Sequence, residues 1–132
     1  QFSWDKLLSL EGNTAPFLMY SYARARGIQR KAEIEAPEVS ELAISSDHER
    51  TLALALLKFP NAVEHALQSN KPNILCDYLY DLCSSFNRFY ADSPVLTAQE
   101  DVKASRLALV ETSLRVLQKC FSLLGIHALD RM

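Results

Sequence analysis

From Thr97 to Leu124 apolar side chains recur at helical spacing, and Gly125 stands where such a helix would end. At 1.5 Å per residue that run is a rod about 40 Å long, and a chain of 132 residues, enough for one domain, must be arranged around it. Its inward stripe is expected at Val102, Leu109, Val110, Leu114, Leu117, Phe121 and Leu124. Thr97 and Glu100 have capping-box spacing at its start, and Ser46 and Glu49 repeat that spacing before a second run ending near Phe59. Pro60 cannot continue the second run, but it suits the first turn of a short helix from about Asn61 to Gln68. From Asn73 to about Ala91 the residues Leu75, Tyr78, Leu79, Leu82, Phe86, Phe89 and Tyr90 keep a near-3.6 period, and Asp92-Ser93-Pro94 stops it.

Near the start, Gly12-Asn13 signals a turn, and Thr14 can cap a helix with Pro16 in its first turn. On that helix Phe17, Tyr20, Arg24 and Ile28 share one face, and Leu18, Tyr22 and Ala25 form an adjacent stripe. Gly27 weakens it by about 1 kcal/mol relative to alanine and marks either close packing or fraying. Residues 32–45, with Pro37 and several acids, read as a connector. No segment alternates apolar and polar residues as a half-buried strand would. The expected fold is all-α, a bundle of about five helices.

The reactive residues do not converge. His48, His65 and His127 fall in three different segments, without the spacings of zinc or di-iron sites. Only three glycines are present, and no glycine-rich loop precedes a Lys-Ser or Lys-Thr pair to hold nucleotide phosphates. Ser84 and Ser85 lack a nucleophile elbow, and Asp77 and Asp81 read as an exposed helix face rather than an acid/base pair. Cys76 and Cys83 lie two turns apart on one helix, too far to bond, so the three cysteines read as small buried hydrophobes in a reducing cytoplasm. No apolar run reaches the roughly 18–20 residues of a membrane span, and no signal peptide is visible. The chain opens on Gln1 rather than Met, as expected of a processed chain or of a piece of a longer one. Net charge is −2, but it is unevenly spread. Arg24, Arg26, Arg30 and Lys31 give +4 between Thr14 and Lys31, and the next stretch, to Arg50, carries −5. A basic helix beside an acidic connector can present a local phosphate-facing surface, or simply be a solvated face.

Three segments carry more information than periodicity. Gly12-Asn13-Thr14-Ala15-Pro16-Phe17-Leu18-Met19-Tyr20-Ser21-Tyr22-Ala23-Arg24 resembles the segment of arginyl-tRNA synthetases that joins the catalytic body to a C-terminal helical domain. Cys76 to Leu82 with Phe86 to Tyr90 resembles an aromatic helix of that domain, and Arg106 through Gly125 to Asp130-Arg131-Met132 resembles its C-terminal end. Tyr22, where the family often has His, and Met19, where Gln is common, depart from the pattern.

The resemblance implies a helical domain of the DALR anticodon-binding type over residues 14–132, with residues 1–13 as the junction to a missing catalytic body. It implies recognition of the anticodon stem-loop of an arginine-accepting tRNA, with neither DNA nor membrane as partner, by a monomer. It further implies that Tyr20, Arg24 and the terminal Met132 build a pocket for an anticodon base, with Phe17 extending the aromatic face and Asn87 as a further contact. Stacking on Tyr and Met and hydrogen bonding from Arg suit an unstacked base. On residue type alone the same positions read differently. Tyr20 and Phe17 would be core residues, Arg24 a surface or capping cation and Met132 a frayed terminus. The family's two ATP-site signatures are absent here, so this chain is expected to be non-catalytic by itself and to need no cofactor. ATP and Mg²⁺ are implied for the catalytic body of the parent arginine–tRNA ligase. The alternatives are a helical protein-interaction or scaffold module, and a helical bundle that binds a small molecule.

Overall fold

The computed structural model describes residues 3–32, 42–129 and 131. Among them the chain forms six helices: α1 (Trp4–Leu7), α2 (Ala15–Ala32), α3 (Asp47–Leu57), α4 (Phe59–Ser69), α5 (Asn73–Asp92) and α6 (Glu100–Leu124). Five span 11 residues or more, α1 is a single turn, and no described residue is in a strand, in line with the all-α expectation. No helix among the described residues is long and apolar enough to cross a membrane. The connector's acids Glu33, Glu35, Glu38 and Glu41, and the terminal Met132, lie outside the described residues.

Local chemistry accounts for most helix ends. Gly12 takes a left-handed backbone (φ +79°), and the Thr14 hydroxyl then accepts from the Phe17 amide at 3.3 Å to open α2. Ser46 and Glu49 form a complete capping box at α3. Lys58 closes α3 and opens α4, with Pro60 in the first turn of α4. Asn70 (φ 54°) and Gly125 (φ 70°) end α4 and α6 in the left-handed region. The second capping box does not form. Gln99, extended at ψ 153°, is the N-cap of α6, with no side-chain bond, and Thr97 is left in the preceding loop. The acids Glu100 and Asp101 occupy the first turn instead, where they favour the positive end of the helix dipole. Gly27 neither frays α2 nor packs closely. The helix runs on to Ala32, and a Cβ at Gly27 would meet only the Arg30 guanidinium, at 3.9 Å.

α5 is the central element, packed by α2, α3 and α4, while α6 lies along α2 and α3. Leu79, Leu82, Cys83, Phe86 and Phe89 of α5 are fully buried, facing Leu52 of α3 and Leu117 and Cys120 of α6 in one core. On α6 two positions depart from the expected stripe. Val102 and Leu124 are half-buried, and Leu107 and Cys120 take fully core-facing positions on α6. Tyr22 stacks at a tilt on Phe121 (centroids 5.8 Å apart), and its hydroxyl accepts from Gln118 at 2.8 Å. The departure at Tyr22 therefore sits in the α2–α6 core, away from the exposed face of α2. All three cysteines are free, and burial pushes the Cys83 and Cys120 thiols up to about 12.

One ion pair holds three elements together. The Glu49 carboxylate, fully buried at the start of α3, accepts from Arg106 Nε of α6 at 2.6 Å and from the Ser45 amide at 2.6 Å. The same guanidinium donates to the Pro94 carbonyl in the α5–α6 loop at 2.6 Å. Burial alone would raise the Glu49 carboxyl, but the Ser45 N–H, the Arg106 guanidinium and the Ser45 hydroxyl outweigh it and hold it below its ordinary value of 4.5.

Removing Arg106 leaves a buried carboxylate without its cation, so Arg106→Ala should lower the unfolding free energy by about 3–5 kcal/mol in urea titrations. Because the folded Glu49 carboxyl lies below its unfolded value, its stabilisation is complete above about pH 4.5 and is lost as the pH falls below that. Acid titration of Glu49→Gln should accordingly show a shallower loss of stability below that pH than the parent chain. Gly27→Ala, in an open helical position, should stabilise the domain by about 0.5–1 kcal/mol in the same titrations.

Candidate nucleic-acid interface

α2 crosses α5 with its Phe17, Tyr20 and Arg24 side, and the two helices are joined there by a chain of polar bonds. Ser21, fully buried, donates to the Phe17 carbonyl at 3.0 Å, as its position one turn later on α2 allows. Asn87 of α5 donates through its amide to the Ser21 hydroxyl at 2.9 Å, and its carbonyl accepts from Arg24 Nη1 at 2.7 Å. Arg24 Nη2 then donates to the Tyr20 hydroxyl at 2.8 Å. One amide thus reads a hydroxyl with its donor and a guanidinium with its acceptor, which fixes its own orientation and that of Arg24.

The Arg24 guanidinium lies between two aromatic rings. Its carbon is 4.6 Å from the centroid of Tyr20 and 4.6 Å from that of Tyr90. Each such contact is worth roughly 0.5–1 kcal/mol at an exposed site and more when dry. Both tyrosines keep about two-fifths of their surface exposed, 40% and 43%. The result is a fixed planar cation with an accessible ring on either side, a surface on which an unstacked base can stack or hydrogen-bond.

This group borders a cleft of about 730 Å³. Tyr20, Arg24, Gly27, Arg30 and Lys31 of α2 form one wall, and Tyr90 with the Ser93–Thr97 loop forms another. Arg131 also lines it. Among the described residues that line it are four cations (Arg24, Arg30, Lys31 and Arg131) and no carboxylate, a local excess of positive charge that favours anions although the chain is acidic overall. Arg26, counted with the basic stretch in sequence, instead bonds Gln29, which donates to Glu111 of α6.

The candidate residues divide accordingly. Tyr20 and Arg24 line the cleft. Asn87 holds Arg24 from behind and does not line it. Phe17 packs on Tyr80 with centroids 5.4 Å apart and is half-buried, a turn away from the cleft. Met132 lies outside the described residues, and Arg131 beside it lines the cleft. Tyr90, read in sequence as part of the buried stripe of α5, is corrected to an exposed partner of Arg24. Adjacent helical residues point about 100° apart, and Phe89 takes the core position. The signal was the spacing of Asn87 and Tyr90, one turn apart on α5, which puts both against α2.

A family model described as the DALR anticodon binding domain matches residues 18–132. Arginine–tRNA ligases of Cyanothece sp. and Synechocystis sp. are 42% and 45% identical over 99% of this chain, in each case covering 23% of the relative. The arginyl-tRNA synthetase of Thermus thermophilus superposes with a TM-score of 0.89 at 41% identity, over 99% of this chain and 23% of that one. The synthetase of Plasmodium falciparum does so with a TM-score of 0.86 at 32% identity, again over 99% of this chain and 23% of the other. The chain thus spans about a quarter of the length of the relatives it matches. Because the match runs through every helix that builds the cleft, the chain belongs to the DALR anticodon-binding domain family, in the form carried by arginine–tRNA ligases.

Proposed function

We propose that this domain grips the anticodon stem-loop of an arginine-accepting tRNA, and that the cleft beside α2 receives an unstacked anticodon base. The observation that carries this reading is the Arg24 guanidinium clamped between two exposed tyrosines at the edge of a cleft whose charged lining residues, among those described, are all cations. A base enters by stacking on Tyr20 or Tyr90, Arg24 reads its edge or the adjoining phosphate, and Arg30, Lys31 and Arg131 neutralise the flanking backbone. Met132, one residue beyond Arg131, adds a soft apolar contact to the base. Asn87 acts through Arg24, and Phe17, packed on Tyr80 one turn before Tyr20, supports the α2 face that carries the cleft residues.

The remaining three-quarters of the ligase carries the catalysis, in which ATP activates arginine with Mg²⁺. The cleft described above does not fit that ion, since Mg²⁺ takes oxygen ligands and the charged residues among its described lining are all cations. Trp4, Leu8 and Leu10, strongly exposed beside α1, face the catalytic body in the whole protein.

Binding of the domain to an arginine tRNA anticodon stem-loop, followed by fluorescence at several salt concentrations, tests the reading. Arg24→Ala and Tyr20→Ala should each weaken binding by roughly 5- to 150-fold, the range set by about 1–3 kcal/mol per stacked base. Lys31→Ala should weaken binding to all stem-loops alike and reduce the salt dependence by about one phosphate contact. Binding that is unchanged by both Tyr20→Ala and Arg24→Ala would place the RNA elsewhere. Deleting Met132 should reduce discrimination between anticodon sequences in charging assays of the whole ligase while leaving the melting temperature of the domain unchanged.

A further inference from the structure

The wall of the cleft opposite α2 is irregular chain. Ser93 to Gln99 joins α5 to α6, and apart from the cap bond of the Ser93 amide to the Phe89 carbonyl at 2.9 Å, no helix hydrogen bonds hold its cleft-lining part, Ser93 to Thr97. Its position is set from outside the cleft. Arg106 Nη1 donates to the Pro94 carbonyl at 2.6 Å, and the Ser46 and Ser93 hydroxyls are 3.5 Å apart. The Arg106 side chain is 13% exposed and its partner Glu49 1%, and neither lines the cleft. Arg106 could satisfy Glu49 with any of its donors. Its fork geometry instead spends Nε on the carboxylate and Nη1 on the loop carbonyl, so the orientation of the guanidinium is transmitted to Pro94.

We infer that Glu49 and Arg106 are positioning residues for base recognition, fixing the Ser93–Thr97 wall at the distance from Tyr20, Arg24 and Tyr90 that admits one base. The inference rests on the proposed role of the cleft in anticodon recognition. The carboxylate orients the guanidinium, the guanidinium holds the Pro94 carbonyl, and the carbonyl places Val95 to Thr97. Val95 anchors the same wall in the core at 6% exposure and Leu96 packs partly against it. The polar bonds of Ser93 hold only the start of the loop, so losing the Arg106 bond at Pro94 leaves the stretch beyond Ser93 held by apolar packing.

Arg106→Lys separates this role from general stability. A lysine ammonium can keep the ion pair with Glu49 but cannot present the two-pronged fork to carboxylate and carbonyl together. The whole ligase is assayed with a cognate tRNA transcript and with transcripts substituted at each anticodon position, alongside hydrogen exchange of the loop amides. Arg106→Lys is expected to speed exchange at Val95 and Leu96 and to cut the cognate-to-substituted ratio of kcat/KM by about 10-fold, with the loss falling on KM. A variant that merely unfolds in part would lower the active fraction and leave KM and the ratio unchanged. If Arg24→Ala erases discrimination while Arg106→Lys retains it, the cleft reads the anticodon but the positioning inference is wrong. If neither changes discrimination, the reading of the cleft itself falls and the inference with it.

Discussion

Where α2 crosses α5, a single amide side chain links fold and surface. Asn87 is attached to an element that α2, α3 and α4 pack on three sides, so it has little freedom to move. Its donor is committed to buried Ser21 and its acceptor to Arg24. The exposed aromatic–cationic group is therefore an extension of the core rather than a loose surface feature. Its geometry is present before any ligand arrives, and the entropy cost of ordering a long arginine side chain has been met in folding.

Electrostatics is organised by separation rather than by total charge. An acidic chain keeps a cleft whose charged lining residues, among those described, are all cations, because described acids are engaged elsewhere. Glu49 is buried against Arg106, Glu111 is engaged by Gln29 and Arg115, and Asp77 by Asn13. The Glu49–Arg106 pair shows why a buried ion pair can persist when apolar residues would often be as stable. It joins α3, α6 and the α5–α6 loop in one bonded group, and the loop it fixes is a wall of the cleft.

The helices were legible because their ends are written in local chemistry. Ser46 with Glu49, Pro60, Asn73 after its turn and Gly125 all act within a few residues of their own position, so sequence spacing is enough to place them. Thr97 was misread because a capping box requires the backbone of Thr97 itself to be the N-cap, and the cleft wall uses that residue instead. Tyr90 was misread because a 3.6 period cannot say where a stripe leaves the core for the surface at the end of a helix. The Arg106 partnership was invisible for a different reason. It spans 57 positions, and nothing local to Arg106 marks Glu49 as its target. Tyr20 and Arg24 came from a family resemblance and not from pattern, and what the structure adds is Asn87's role behind them and Tyr90's beside them.

The central claim is that RNA meets this domain at the tyrosine–arginine group and not on another face. Titrating the isotopically labelled chain with an arginine tRNA anticodon stem-loop and following amide and side-chain NMR shifts tests it most directly. The account predicts that the largest changes fall on Tyr20, Arg24, Tyr90, the Ser93–Thr97 loop and Arg131. Changes confined to the outer face of α3 and α4, around Leu54, Leu57 and Leu67, with the Arg24 side-chain signals unmoved, would contradict it.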